Sequence, residues 1–212
     1  MACDISLYVE KYNPVDDQWD KVGKVFLNDY ATGKIIEDIK KIFGVDDNES
    51  NEIIKKFKYG TPPSNRTEQY ILNKHIPSKM SGEGTSWFEA EGQGKYPYPY
   101  TDQPYTGRCY RLFGILAQVR DASLEPIHPN FYRGLPTDVS PEVEELADSW
   151  GIDGHSHNYL TLGELLDSKY GKMAAQELND LGIDPFFFYR VIPSLLELGD
   201  KDSIRIVFWF DN

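Results

Sequence analysis

An α+β fold is what the sequence predicts, with a central, mainly antiparallel sheet that contains both chain ends, flanking helices and a long irregular insertion. Three observations lead there. Ala2–Tyr12 alternates, with Ile5, Leu7 and Val9 on one face, as a half-buried strand does. Ser203–Asp211 closes the chain on Ile204-Arg205-Ile206-Val207-Phe208-Trp209-Phe210, apolar on both faces apart from Arg205, which suits a strand central in a sheet and beside the first. Helical periodicity fills the C-terminal half, whereas Gly60–Gly107 has little periodicity of any kind.

The elements follow in order. The turn Asn13-Pro14-Val15-Asp16-Asp17 leads to a second extended run near Trp19–Leu27, making a hairpin. Thr32–Phe43 has Ile35, Ile36, Ile39 and Phe43 at helical spacing before Gly44, and Ser50 caps a shorter helix through Phe57. Arg108–Arg120 is expected to be a helix with Leu112, Ile115, Leu116 and Val119 as its stripe, and Arg108 lies on the backward continuation of that stripe. Pro126–Pro136 is a connector. Ser140-Pro141 supplies an N-cap and a proline at the first position of a helix running to Trp150 and Gly151. Thr161 and Glu164 form a capping box ahead of a helix expected over Leu162–Leu181, with Gly182 as its stop. A last helical stretch starts at Asp184-Pro185 and is kinked or split at Pro193.

With 212 residues and 40% hydrophobic content the chain can bury one substantial core, read as a single domain over 1–212 with an insertion or elaborated lobe at 28–106. No apolar run approaches the ~20 residues of a membrane span. The opening Met1-Ala2-Cys3-Asp4 lacks a basic region followed by an apolar one, so a soluble, cytoplasmic protein is expected. Two thiols, Cys3 and Cys109, without CxxC spacing fit a reducing compartment. The net charge of −12 argues against general nucleic-acid binding, which needs clustered Lys and Arg. Thirteen acids against three bases between Thr137 and Asp200 make one stretch strongly negative. Arg108, Arg111, Arg120 and Arg133 form a locally basic segment that suits a small anion better than a polymer.

Two groups of residues are candidates for a site. Gly154-His155-Ser156-His157 holds two of the four histidines ahead of a capped helix, and imidazoles at i and i+2 of an extended backbone point to the same side. They could ligate a metal, act as general acid and base, or serve as hydrogen-bonding groups lining a polar pocket; the last is the reading adopted. Arg108, Arg111 and Arg133 could clamp phosphate or carboxylate, or could be paired with carboxylates of the chain itself. Trp87, Tyr98, Tyr100 and Tyr105 in the long loop could stack on a planar ligand or pack the loop down. No Gly-rich phosphate loop, GxSxG or HExxH motif is present, so no residue is assigned a catalytic role and no metal or cofactor is expected.

The blocks Met1-Ala2-Cys3-Asp4-Ile5-Ser6-Leu7-Tyr8-Val9-Glu10, Gly107-Arg108-Cys109-Tyr110-Arg111-Leu112-Phe113, Gly134-Leu135-Pro136-Thr137-Asp138-Val139-Ser140, Gly154-His155-Ser156-His157 and Arg205-Ile206-Val207-Phe208-Trp209-Phe210-Asp211 form a set. Together they resemble a family of small, largely uncharacterised proteins encoded by bacteriophages and prophages. The resemblance covers the first dozen residues and most of the chain after Tyr105. It implies that relatives carry histidine where this chain has Ser6, a departure that weakens any metal site shared with His155 and His157; zinc would then need Cys3, Asp4 or Asp153. It also implies a role inside a bacterial host. The function expected is sequestration of a small anionic, nucleotide-derived signal, such as a cyclic or ADP-ribose-type nucleotide, to counter host immunity, with a homo-oligomer allowed. A metal-dependent or histidine-based phosphodiesterase and an acidic inhibitor of a host protein are the alternatives.

Overall fold

The computed structural model describes residues 3–23, 26–27, 46 and 100–211. The chain divides into two compact units, Met1–Gly23 with Gln103–Asn212, and Lys24–Asp102. In the second unit, strand β3 (Phe26–Leu27) pairs antiparallel with β4 (Tyr100–Thr101). The expected helices at Thr32–Phe43 and Ser50–Phe57, and most of the long loop, lie outside the described residues.

The first unit is built on a four-stranded sheet in the order β2-β1-β6-β5, every neighbour antiparallel. Its strands are β1 (Ile5–Asn13), β2 (Gln18–Lys21), β5 (His155–Thr161) and β6 (Ile204–Phe210). Both ends of the chain therefore meet at the centre of the sheet. All seven residues of β6 are buried, and so are the first six of β1, which is more than alternation alone implies. The reason is coverage of both faces. Ser6, Tyr8 and Glu10 stand opposite Trp209, Val207 and Arg205 on one face, where helix α2 (Pro141–Ser149) packs through Val143 and Ala147. On the other face Phe113 of helix α1 (Tyr110–Ala117) meets Phe210 with ring centres 5.0 Å apart.

Arg205, the one polar break in the last strand, is the centre of a buried network. Its Nε donates to Glu10 Oε2 at 2.6 Å, its Nη1 to Asp138 Oδ1 at 2.7 Å and its Nη2 to the Asp138 carbonyl at 3.0 Å. The guanidinium also stacks 4.0 Å from the Trp19 ring. The other oxygen of Glu10 accepts from the backbone N–H of Ser140 at 2.7 Å. That carboxylate satisfies the N–H of the N-cap residue itself. Ser140 occupies the N-cap position, but its hydroxyl makes no capping bond. The charge is tolerated because every arm has a partner.

The helices depart from expectation where backbones come close. α1 is shorter than Arg108–Arg120: Cys109 caps it through Sγ, 3.4 Å from the Leu112 N–H, and Gln118 ends it in the left-handed region. The single helix expected over Leu162–Leu181 is three pieces, α3 (Leu162–Asp167), a turn of 3₁₀ helix at Tyr170–Lys172 and α4 (Ala175–Asp180). Ser168 breaks it by bonding the Leu165 carbonyl through Oγ while accepting from the Gly171 N–H. Gly171 then passes so near α3 that a Cβ there would lie 2.3 Å from the Leu165 carbonyl oxygen. The stretch after Pro185 splits just ahead of Pro193, into a π-helical Phe187–Val191 and helix α5 (Ile192–Leu196). Among the described residues no helix is long and apolar enough to cross a membrane.

Candidate functional site

The arginines expected to clamp an anion are each committed to a carboxylate of the chain. Arg108 grips Asp4 in a two-point fork, Nε–Oδ1 and Nη2–Oδ2 both 2.7 Å, with about half of each side chain open to solvent. Arg111 Nη1 lies 3.1 Å from Asp121 Oδ2 and also bonds the Ser123 hydroxyl. Arg133 Nη1 lies 2.9 and 3.0 Å from the two oxygens of Glu164, and its guanidinium stacks 3.8 Å from the Tyr159 ring. Of the aromatic candidates, Tyr105 is 1% exposed, its ring edge-on to Phe187 at 5.5 Å and its hydroxyl 3.1 Å from Asp184 Oδ2. No face of that ring is open to stack on a ligand. Trp87, Tyr98 and the side chain of Tyr100 lie outside the described residues.

The histidines lie on β5, an edge strand, rather than at the helix entrance itself. Ser156 takes a φ of 54° and the pairing with β6 slips between His155 and Asn158, so the strand carries a bulge. The expectation that both imidazoles point to one side fails for this reason. His155 stands opposite Phe210, its ring 6.3 Å from that phenyl, while His157 stacks on Trp209 at 5.7 Å and 29°. Phe210 and Trp209 are successive residues of β6 and face opposite sides of the sheet.

The chemistry at this bulge is that of nitrogen donors. His155 Nδ1 is 3.0 Å from the Ser156 hydroxyl, and both His155 Nε2 and Trp209 Nε1 are buried without a hydrogen-bond partner among the described residues. Burial, and secondarily the neighbouring His155 charge, push His157 below its ordinary pKa of 6.5, with Asp148 pulling weakly the other way. Gly154 completes the packing. A Cβ there would come within 2.9 Å of Trp150 Cβ and 3.6 Å of Trp209 Cδ1. Ahead of it a 3₁₀ turn, Gly151–Asp153, presents Ile152 at 99% exposure next to a partly open Trp150.

Trp209 and Trp150 were not among the expected site residues. The one available signal was the glycine immediately before the two histidines, since a tight approach of backbone to ring needs a residue without a Cβ. Two backbone donors of β5 are satisfied by side chains: Asn158 Oδ1 accepts from the Tyr159 N–H at 2.9 Å, and Glu164 Oε2 of α3 from the Thr161 N–H at 2.8 Å. Such self-satisfaction discourages pairing with another strand. Among the described residues no three of His, Cys, Asp and Glu are placed to hold a metal ion; Cys3 is buried and Asp4 is taken up by Arg108. Ser6 pairs with Trp209 across β1 and β6, so the position implied to carry histidine in relatives lies beside the indole on which His157 stacks. No family model, curated protein or solved structure matches the chain.

Proposed function

We propose that this chain is a binding protein that holds a small anionic, nucleotide-derived ligand without turning it over, and that the ligand is gripped at the bulged start of β5. The observation that supports this is the buried ring nitrogen His155 Nε2, which has no partner among the described residues. Leaving such a group unsatisfied costs about 1–3 kcal/mol. A phosphate or carboxylate oxygen satisfies it. When Nδ1 of His155 accepts from the Ser156 hydroxyl, Nε2 carries the proton and becomes the donor an anion requires. Trp150 offers a partly open indole for a planar base, and Arg108, half open in its pair with Asp4, can share its charge with a ligand. The resemblance to phage-encoded proteins supplies the setting, a bacterial cell in which an immune signal is kept from its receptor.

The test is retention. Purified protein is incubated with cyclic dinucleotides, cyclic mononucleotides and ADP-ribose derivatives, desalted, denatured, and the released molecules are identified by mass spectrometry. Recovery of one class intact, lost in His155→Ala and Trp150→Ala, is the expected result; retention of none of them overturns the reading. A histidine-based hydrolase is the second reading, favoured by His157, whose burial lowers its pKa and so favours the unprotonated form that a general base requires. Turnover of a retained nucleotide that survives chelation and disappears in His157→Gln would replace the first reading with the second.

A further inference from the structure

We infer that α2 and the turn after it form a docking surface for a basic, apolar-bearing segment of a partner protein, a role that shares Trp150 with the ligand site proposed at β5 and otherwise rests on different residues. Residues 141–153 carry Glu142, Glu144, Glu145, Asp148 and Asp153 and no Lys or Arg. All five are exposed, and among the described residues none has an ion-pair partner.

The placement of one of them, Asp148, runs against the stability of the helix itself. Glu142 and Glu144 sit in the first turn, where the helix dipole favours acids. Asp148 sits in the last turn, which has no basic residue, where the dipole favours cations. Glu144 and Asp148 are also like charges at i and i+4, a spacing at which they repel. A face that is only solvated gains nothing from acids at those points. A face that meets cations does.

Apolar anchors stand at the end of this acidic face. Ile152 is 99% exposed and Trp150 is 37% exposed, although α2 buries Val143 and Ala147 beneath them. The turn that lifts Ile152 is fixed. Gly151 takes a φ of 52°, the Asp153 N–H bonds the Trp150 carbonyl at 3.1 Å, and Gly154 packs against the Trp150 side chain. A preset anchor loses little freedom on binding, which favours affinity. An aromatic and an aliphatic residue framed by carboxylates that have no ion-pair partner among the described residues are complementary to a segment that presents Lys or Arg around an apolar residue.

The probe is a fluorescein-labelled 15-residue amphipathic peptide with lysines on one face and leucines on the other, measured by anisotropy against the full chain. Controls replace its lysines with glutamate or its leucines with serine. The expected result is saturable binding by the lysine–leucine peptide alone. Ile152→Asp and the triple Glu142→Gln/Glu145→Gln/Asp148→Asn each weaken it by about tenfold, the loss of one anchor or of several charge pairs. Raising salt from 50 to 300 mM weakens the wild type and leaves the triple variant nearly unmoved. Val15→Asp, which alters another exposed apolar side chain at the β1–β2 turn, leaves affinity unchanged. Absence of binding, equal binding by the serine-substituted peptide, or equal loss in Val15→Asp overturns the proposal. His155→Ala leaves peptide binding intact, so failure here and failure of ligand retention are separate results.

Discussion

Replacing Arg205 by leucine removes the one cation buried between β1, β6 and the segment entering α2. Arg205 is 4% exposed and Glu10 is fully buried, so the substitution leaves the Glu10 carboxylate in the interior with only the Ser140 N–H at 2.7 Å to stabilise it. Breaking one side of a buried pair in this way costs about 3–5 kcal/mol, because the remaining charge has lost its partner without regaining water. The Asp138 arm adds less. Its side chain is 62% exposed, and an exposed pair is worth about 1 kcal/mol or less. Urea unfolding followed by tryptophan fluorescence reads the loss as a midpoint shift of about 2 M, for a slope of roughly 2 kcal/mol per M. The double variant Glu10→Leu/Arg205→Leu supplies the decisive comparison. Removing both charges abolishes the orphaned carboxylate, so the double costs less than the sum of the singles by about 2 kcal/mol or more. A loss under about 1 kcal/mol in Arg205→Leu, or strict additivity in the double, refutes the claim that this pair holds α2 on the sheet.

Three further outcomes are expected. Gly114→Ala places a Cβ 2.0 Å from the Asp121 carbonyl oxygen, a backbone atom that cannot step aside, and costs about 2–3 kcal/mol in thermal or urea unfolding. Gly163→Ala, whose Cβ meets nothing closer than 3.7 Å, is neutral or gains up to ~1 kcal/mol from helix propensity, and a loss there as large as at Gly114 would contradict the packing described. His157 has a folded-state pKa below its ordinary 6.5, so the unfolded chain takes up the proton first. Its contribution to stability is complete above 6.5 and is lost as pH falls from 6.5 through the lower folded value. The stability of His157→Gln should therefore decline less than that of the wild type on acidification over that window; parallel curves would show that His157 is not the group responsible.

The central sheet was legible because its two middle strands announce themselves at either end of the chain, one by alternation and the other by a doubly apolar run. The capping box at Thr161 and the proline start of α2 were legible for the same reason: these are local signals, satisfied within four residues. The break at Ser168 was not. Periodicity continues through Leu162–Leu181, and only the close passage of Gly171 over the α3 carbonyls shows why the helix stops. Of the candidate site, the His155–His157 segment was found but its geometry was not, since a single residue in the left-handed region at Ser156 turns two same-side side chains into opposite-side ones.

The charged residues near the chain ends and in the middle blocks show the same division. Asp4, Glu10, Arg108, Asp138, Arg205 and Asp211 could be picked out as a set by their blocks, and Arg108 was open to reading as an anion clamp or as one half of an ion pair. Tertiary structure decided between these. It joins Asp4 to Arg108, the Asp4 N–H to Asp211 at 2.8 Å, and Glu10 and Asp138 to Arg205. What the sequence determined by itself was the order of elements and the polarity of each face, because hydrophobic period and capping chemistry act over a few residues. What only the tertiary structure decided was which charges neutralise each other and which ring nitrogens remain without a partner, because those depend on residues up to 207 positions apart coming together.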